Sequence, residues 1–277
     1  MNKQSFTRRF LLLWLPLILF TIFTLFPYYW MLVTALKTDA DIYASPLQYW
    51  PRHITWENFQ QLFGYFNFTK YAVNSLLIAL GTTVLSLFVS TLAAYSFARF
   101  DFKGRRFLMA LFLSNNMFPT VLLMIPLYSI MRSVGLLYTR VGMIIAYTTF
   151  SIPFSVWLLQ GFIRDIPFEL EEAALVDGCT RRGAFIRIFL PVMTPCLLAA
   201  GVYMFMTAWN EFTLASMFTN PGTRTIPVAL STLIGQLGVD WGLLCAGGVL
   251  TCIPVMVMFF FAQKRLVSGM TAGAVKG

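Results

Sequence analysis

Six long apolar stretches constrain the fold of this chain more than any other feature of its sequence. They lie at about 11–36, 71–97, 107–131, 141–162, 193–218 and 241–262. Each can cross the roughly 30 Å hydrocarbon core of a bilayer, which takes about 20 residues of helix. Lipid cannot hydrogen-bond to the backbone, so a spanning segment is a helix or part of a closed barrel, and continuous apolar runs exclude the barrel. The sequence therefore predicts an all-α membrane protein with six transmembrane helices.

The charged residues support this class and set the orientation. Only 11% of the 277 residues are charged, against about 25% in a soluble domain. Of the 20 Lys and Arg, 14 fall in the N-terminus, the 98–106 and 163–192 loops and the tail, and six fall on the other side. The positive-inside rule makes both termini cytoplasmic. The net charge of +9 follows from this topology and gives no reason to invoke nucleic acid.

The predicted spans divide the chain into four segments. Residues 1–36 are a cytoplasmic N-terminus and the first transmembrane helix, and residues 37–70 are an extracytoplasmic loop. Residues 71–262 are a core transmembrane domain that includes a cytoplasmic hairpin at 164–191, and 263–277 are a cytoplasmic tail. The first apolar run is far longer than the roughly 7–15 residues of a signal-peptide core, so we expect it to remain as a helix.

The sequence contains no recognisable group of catalytic, metal-ligating or nucleotide-binding residues. The single histidine, His53, lies in the first extracytoplasmic loop, the four cysteines lack CxxC spacing, and no GxxxxGK motif occurs. These features exclude a Ser/His/Asp or Cys/His site, a zinc cluster and a phosphate-binding loop. We expect a protein that is not an enzyme and that binds no metal and no cofactor itself.

One ionisable residue lies deep in a predicted span. It is Glu211, which follows Asn210 near the outer end of the fifth apolar stretch. A charged side chain in lipid costs a few kcal/mol, so Glu211 should face protein or water. Two interpretations remain open: Asn210 and Glu211 line or gate a pathway, or they form a structural pair that hydrogen-bonds to another helix.

A bipolar charged segment, ELEEAALVDGCTRRGAFIRIFLP at 169–191, interrupts the apolar sequence. Its first part is acidic and its second part is basic. We predict a short helix that Asp165 caps and Pro167 begins, a turn at Gly178, and a second short helix that ends at Leu190-Pro191. Apolar residues recur at helical spacing on both helices. A helix with an apolar face exposed to the cytoplasm is typical of a docking element for another protein.

This hairpin resembles the EAA motif of importer-type ABC permeases, E-A-A-x3-G-x9-I-x-L-P. With Asp177 included, the candidate ATPase-coupling residues are Glu172, Ala173, Ala174, Asp177, Gly178, Ile188, Leu190 and Pro191. Further stretches, such as NSLLIAL from Asn74 and WNEF from Trp209, are similar to the carbohydrate-uptake, maltose-type branch of that family. The resemblance extends over essentially the whole chain.

The resemblance implies a type I ABC importer permease of a bacterial inner membrane, forming half of the translocation pathway of a binding-protein-dependent sugar importer. It implies that hairpin 164–191 docks on a cytoplasmic ATPase dimer that uses the ATP, with the tail as a second contact. The other implied partners are a second permease subunit and an extracytoplasmic binding protein. Loop 219–240 either projects toward that protein or is an interfacial re-entrant helix. A glycerol-phosphate importer, a secondary transporter and a membrane anchor remain alternatives.

Overall fold

The structure is helical, with long apolar helices as the sequence predicts. The computed structural model describes residues 10–115, 117–236 and 238–274. Within these ranges, five helices are long and apolar enough to span a membrane: Phe10–Ala35, Phe68–Arg99, Arg140–Asp165, Arg181–Trp209 and Trp241–Phe261. Their apolar side chains stay largely exposed in the isolated chain, as expected of surfaces that meet lipid. Residues 1–9 of the predicted N-terminus and 275–277 of the predicted tail lie outside the described residues.

The helices are numbered here in chain order. They are α1 Leu15–Ala35, α2 Asp39–Ile42, α3 Glu57–Gly64, α4 Phe68–Arg99, α5 Arg105–Asn115, α6 Thr120–Ser133, α7 Arg140–Asp165, α8 Glu169–Val176, α9 Arg181–Ala184, α10 Leu190–Trp209, α11 Thr213–Phe218, α12 Ile226–Ser231 and α13 Trp241–Ala274. Two segments are π-helical: Phe10–Trp14 precedes α1, and Phe185–Phe189 joins α9 to α10. Two short strands, β1 Ile234–Gly235 and β2 Gly238–Val239, form an antiparallel hairpin.

The third predicted span, 107–131, is not one continuous helix. It is divided into α5 and α6, and Pro119 stands at the N-cap position of α6 with ψ at 122°. Proline lacks a backbone N–H and disfavours helical geometry in the residue before it, so a helix entering this segment ends ahead of it. Neither half is long enough to cross a bilayer alone, and the count of six spans therefore stays a prediction.

The fifth predicted span, 193–218, is also interrupted. Helix α10 ends at Trp209, and α11 begins at Thr213. At the break, the Asn210 backbone N–H and side-chain amide both donate to the Met206 carbonyl oxygen, at 3.1 and 2.9 Å. A side chain that takes part in the last helical turn in this way competes with continuation of the helix. Glu211 therefore lies in a break between two helices, and the predicted fifth span is not one continuous helix.

The larger of two compact units comprises Lys70–Ala229 with the residues from Pro254 onward. Its core is apolar and draws on α4, α7, the π-helical segment and α10. The buried core residues are Ala94, Phe97, Val156, Leu159, Ile163, Phe189, Met193, Ala200 and Met204. Lipid does not drive apolar helices together, so this unit depends on close packing between helices and on hydrogen bonds between them.

The smaller unit comprises the residues up to Thr69 together with Leu230–Ile253. Side-chain hydrogen bonds to the backbone tie its predicted extracytoplasmic loop down. The Asn58 amide donates to the carbonyl oxygens of Ala35 at 3.0 Å and Lys37 at 2.8 Å, at the end of α1. The Tyr43 hydroxyl donates to the Val239 carbonyl oxygen on β2 at 3.1 Å. The two bonds from Asn58 satisfy backbone carbonyls at the end of α1, where no intrahelical partner exists.

Gly142, in the first turn of α7, has no room for a side chain. A Cβ there would overlap the backbone carbonyl oxygen of Leu136. We expect Gly142→Val to lower the free energy of unfolding by about 1–3 kcal/mol, because relief of this overlap requires a backbone shift. Gly161→Val is the matched control, since a Cβ at that position of α7 meets nothing within 4 Å. Thermal unfolding of the detergent-solubilised variants measures the effect, and equal melting temperatures would contradict it.

Candidate coupling hairpin and candidate substrate cleft

The segment 164–191 forms the predicted helix, turn and second helix. Helix α8 ends in a Schellman motif, in which Cys179 N–H donates to the Ala174 carbonyl at 2.9 Å and Gly178 N–H to the Leu175 carbonyl at 3.1 Å. Gly178 has φ of +86°, the left-handed conformation that this motif requires and glycine tolerates. The Thr180 hydroxyl then caps α9 by accepting from Gly183 N–H at 3.1 Å. The predicted turn at Gly178 is confirmed.

The entry to the hairpin differs from the prediction. Asp165 is the last residue of α7, and the N-cap residue of α8 is Phe168, which makes no side-chain capping bond. Ile166, which precedes Pro167, is extended with ψ of 122°, as the ring of a following proline requires. This extended residue separates Asp165 from the helix that it was expected to cap.

The exit from the hairpin differs as well. No helix ends at Leu190-Pro191, because Arg181–Trp209 is one continuous helical run. Its π-helical segment Phe185–Phe189 is wider than an α-helix, and Leu190 N–H bonds to the Phe185 carbonyl five residues back. Such a widened turn accommodates a proline without ending the helix. The hairpin is therefore joined to α10 without a break.

A buried ion pair ties α8 to the end of α4. Arg99 Nε lies 2.7 Å from Glu171 Oε1, and both side chains are less than 10% exposed. The Tyr95 hydroxyl donates to Glu171 Oε2 at 2.5 Å, and Arg99 Nη2 donates to the Ile166 carbonyl oxygen at 3.0 Å. A buried charge pair is stable only when further hydrogen bonds satisfy it, as these do. Sequence reasoning missed Glu171, because the acidic run around it does not show which carboxylate faces inward.

Aromatic rings enclose this ion pair. The Tyr95 ring lies 4.8 Å from the Phe185 ring and 4.9 Å from the Phe189 ring, centroid to centroid and nearly perpendicular. The Arg99 guanidinium lies 5.5 Å from the centroid of the Phe168 ring. Edge-to-face pairs and cation–π contacts each add roughly 0.5–1.5 kcal/mol beyond area burial. Both helices of the hairpin are thus fixed to one end of α4.

The residues of the EAA motif separate into an exposed set and an inward set. Ala174 is buried beside Glu171, and Ile188 and Leu190 are half-buried. The exposed members are Glu172, Ala173, Asp177, Gly178 and Pro191. Val176, which sequence reasoning did not single out, is 86% exposed. The tip of the hairpin therefore presents small and apolar residues to its surroundings, while the opposite face of α8 holds the ion pair.

Glu211 stabilises the break between α10 and α11. Its Oε1 accepts from Leu214 N–H at 2.7 Å, and its Oε2 accepts from Ala215 N–H at 3.0 Å. Oε2 also accepts from the Tyr147 hydroxyl on α7 at 2.7 Å. The carboxylate thus satisfies two backbone donors that a helix N-terminus leaves free. The interpretation of a hydrogen bond to another helix is confirmed for Glu211, whereas Asn210 bonds within its own helix.

The same carboxylate lines a cleft of about 310 Å³ between α7 and α10. Most of the lining is aromatic or carries a hydroxyl group: Tyr147, Phe150, Ser151, Phe154, Tyr203 and Thr207. The Phe154 and Tyr203 rings are 4.7 Å apart, centroid to centroid. A cleft of mainly apolar walls with a few polar groups is the usual form of a small-molecule site. A carboxylate is not exposed to lipid, so this cleft opens on water or protein.

Asn74 fixes the base of the loop that follows α11. Its amide nitrogen donates to the carbonyl oxygens of Gly222 at 3.1 Å and Arg224 at 3.0 Å, and its oxygen accepts from Arg140 Nε at 2.8 Å. The next residue, Ser75, accepts from Ile226 N–H at 2.8 Å. Residues 220–222 are exposed, and the buried start of α12 follows. The loop therefore contains both an exposed turn and a packed helix.

We expect Glu171→Ala to release the hairpin, because it leaves Arg99 buried without its partner. The loss of a partner from a buried ion pair lowers stability by about 3–5 kcal/mol. Glu172→Ala is the matched control, since it removes a neighbouring but exposed carboxylate from the same turn of α8. Trypsin cleavage after Arg181 and Arg182 in membrane vesicles measures the release. Cleavage should be faster in Glu171→Ala and unchanged in Glu172→Ala, and equal rates in the two variants would refute the anchoring role.

Comparison with known proteins identifies the family of the chain. Residues 86–272 match the family of binding-protein-dependent transport system inner membrane components. The sulfoquinovosyl glycerol transport system permease of Agrobacterium fabrum is 38% identical over 91% of this chain and 89% of its own length. The diacetylchitobiose uptake system permease of Streptomyces coelicolor is 37% identical over 91% of this chain and 92% of its own. The trehalose/maltose transport system permease of Thermococcus litoralis is 34% identical over 99% of both.

The fold is shared with solved importers. A bacterial ABC transporter for the acidic polysaccharide alginate contains a chain that superimposes with a TM-score of 0.80 at 20% identity, over 95% of this chain and 98% of that one. The same kind of transporter bound to a periplasmic protein that carries an alginate pentasaccharide gives a TM-score of 0.70. Together with the family match over 86–272, the long apolar helices and the hairpin, these likenesses lead to one conclusion: the chain belongs to the family of inner membrane components of binding-protein-dependent ABC transport systems.

Proposed function

We propose that this chain is the membrane-spanning permease subunit of an ATP-driven, binding-protein-dependent sugar importer, of which it forms half of the translocation pathway. The relatives above are permeases for glycosides or oligosaccharides, and they match this chain over nearly its whole length. The observation that carries the proposal is the hairpin, whose inward face is fixed by the Arg99–Glu171 pair while its tip is exposed. The chain itself has no phosphate-binding loop, so ATP belongs to a partner subunit.

The hairpin is suited to receive a cytoplasmic ATPase dimer. A partner that reaches its tip meets Ala173 and Gly178, which allow close approach, and the exposed Val176 and Leu170 offer apolar contact. Apolar anchors with charged neighbours are the usual composition of a helix that docks in a groove. Glu172 and Asp177 would then set the orientation in that groove. The remaining partners of the proposed complex are a second permease subunit and an extracytoplasmic binding protein.

The geometry connects the hairpin directly with the cleft. The continuous helical run from Arg181 to Trp209 has 29 residues, a length of roughly 43 Å at 1.5 Å per residue. The hairpin lies at its start, and the cleft residues Tyr203 and Thr207 lie near its end. A displacement of the hairpin by an ATPase would therefore be carried along one helix to the cleft. This arrangement supports a role in energy coupling over that of a passive membrane anchor.

The cleft favours the hydroxyl groups and ring of a sugar over a glycerol phosphate. The Glu211 carboxylate accepts three hydrogen bonds of the about four that a carboxylate can accept, so one acceptor position on Oε1 remains for a hydroxyl group. The aromatic rings of Phe154 and Tyr203 offer apolar faces to the C–H groups of a sugar ring. Neither Lys nor Arg lines this cleft, and an anionic phosphate would be repelled by Glu211.

Gly178→Asp should uncouple the transporter. A carboxylate at the exposed tip of the hairpin, at φ of +86°, is expected to reduce binding of the copurified ATPase and its stimulation by at least about tenfold, or roughly 1.4 kcal/mol. Gly135→Asp is the matched control. Gly135 lies in another loop and also has positive φ, and a Cβ added there would meet nothing within 4 Å. Copurification and ATP hydrolysis in proteoliposomes give the readout. Normal coupling in Gly178→Asp would contradict the docking role of the hairpin.

Tyr203→Ala removes an aromatic ring from the wall of the cleft and should weaken substrate binding. We expect the KM for sugar uptake to rise about tenfold, since loss of one stacked ring costs roughly 1–1.5 kcal/mol of binding free energy. Trp157→Ala is the matched control, because Trp157 is an exposed aromatic residue of α7 that does not line the cleft. Uptake of trehalose, maltose and diacetylchitobiose by the intact complex measures the change. An equal KM for Tyr203→Ala and the wild type would exclude the cleft from the pathway.

A further inference from the structure

A basic cleft lies beside the hairpin, at the junction of α5 and α7. Its volume is about 620 Å³, and its lining includes Asp101, Phe102, Arg105, Arg106, Phe107 and Arg164. Arg164 comes from the end of α7, and the other five come from the loop after α4 and the first turn of α5. Because α4 also holds Glu171 of the hairpin through Arg99, this cleft lies at the same end of the spans as the hairpin.

The positive charge in the cleft is only partly neutralised. Arg105 Nη1 lies 2.7 Å from Asp101 Oδ1, an exposed pair in which the Asp101 side chain is 98% accessible. Among the residues that the structure describes, Arg106 and Arg164 make no ion pair and donate no side-chain hydrogen bond. Two guanidinium groups without acceptors, in one cleft, form a ready site for an oxyanion, since guanidinium pairs with phosphate through two parallel hydrogen bonds.

The position of two of these arginines is unfavourable for the helix that carries them. Arg105 and Arg106 occupy the first turn of α5, and that turn contains no acidic residue. The N-terminus of a helix carries roughly half a positive charge, so it favours anions and disfavours cations, by about 0.3–1 kcal/mol per charge. A bound anion would offset both the helix dipole and the guanidinium charges.

The surroundings of the cleft indicate the source of that anion. Phe107 is 70% exposed, and Phe102 and Leu108 are each 39% exposed. Exposed aromatic and apolar side chains next to guanidinium groups, where membrane helices begin, are typical of the lipid head-group region. By the distribution of Lys and Arg this is the cytoplasmic side. Basic pockets between membrane helices on that side bind anionic lipid head groups.

We propose that this cleft binds an anionic phospholipid, with the phosphate of the head group between Arg106 and Arg164 and the acyl chains along Phe107 and Leu108. This site does not depend on the transported substrate, and it stands or falls independently of the sugar-importer function. The site lies next to the anchored hairpin. A bound lipid would therefore hold the start of α5 against the end of α7, which leads into α8. The ligand class is a membrane phosphodiester, as distinct from free phosphate.

The test uses the detergent-purified complex with its copurifying subunits, stripped of lipid and titrated with phosphatidylglycerol or phosphatidylcholine. Native mass spectrometry gives the half-saturating concentration of each lipid. We expect phosphatidylglycerol to bind at least fivefold more tightly than phosphatidylcholine. Arg106→Gln and Arg164→Gln should each weaken phosphatidylglycerol binding about fivefold, the usual contribution of one basic residue near an anionic surface. Lys103→Gln, a matched loss of charge in the same loop outside the cleft, should bind as the wild type does.

Three outcomes would overturn the proposal. Equal binding of the two lipids by the wild type would remove the preference for an anion. Unchanged phosphatidylglycerol binding in both arginine variants would place any preference elsewhere on the complex, and Arg106→Gln alone decides this point if Arg164→Gln does not assemble. Displacement of phosphatidylglycerol by equimolar inorganic phosphate would show that the cleft recognises a free anion instead of a lipid.

Discussion

The buried pair of Arg99 and Glu171 is the interaction on which the hairpin end of this protein depends. Removing two charges from water is costly, and the structure offsets that cost with the Tyr95 hydroxyl and the Ile166 carbonyl as additional partners. The pair joins residues 72 positions apart, so it brings the end of a membrane helix and a short amphipathic helix into one rigid group. Helix α8 has only eight residues, and isolated helices of that length are unstable in water, so its orientation depends on tertiary contacts such as this pair.

The break after α10 has to meet a second constraint, which is that backbone groups at membrane depth need partners within the protein. At the break after α10, the Glu211 carboxylate accepts from two backbone N–H groups of α11 and from Tyr147. The residue that seemed out of place in an apolar sequence is thus what makes an irregular segment possible there. An irregular backbone at such a depth is tolerated where it lines a cavity, and Glu211 does line the cleft.

The sequence predicts the fold class and the turn of the hairpin well, and the side-chain partners poorly. Length and hydropathy identify the long helices, and Gly178 marks the left-handed turn, because these features depend on local residues. Glu169, Glu171 and Glu172 are equivalent by composition, and only the position of Arg99 on another helix makes Glu171 the buried one. The break at Asn210 escapes hydropathy for the same reason, since the bond from Tyr147 that supports Glu211 comes from a distant part of the chain.

The packing of α4 changes along its length. Along one face it buries Ala79, Thr82, Ser86, Ser90 and Ala94, each fully inaccessible. Small residues at such spacing let membrane helices approach closely, and the Ile144 side chain of α7 lies directly against Gly81 of α4. At the end of α4, Phe97 and Arg99 follow this row of small residues. There the charge pair of Arg99 with Glu171 and the aromatic rings around it hold the hairpin. On the proposed function, the hairpin that receives force is therefore fixed to α4 by a charge pair and aromatic rings, and α10, which continues from the hairpin, carries its displacement to the cleft.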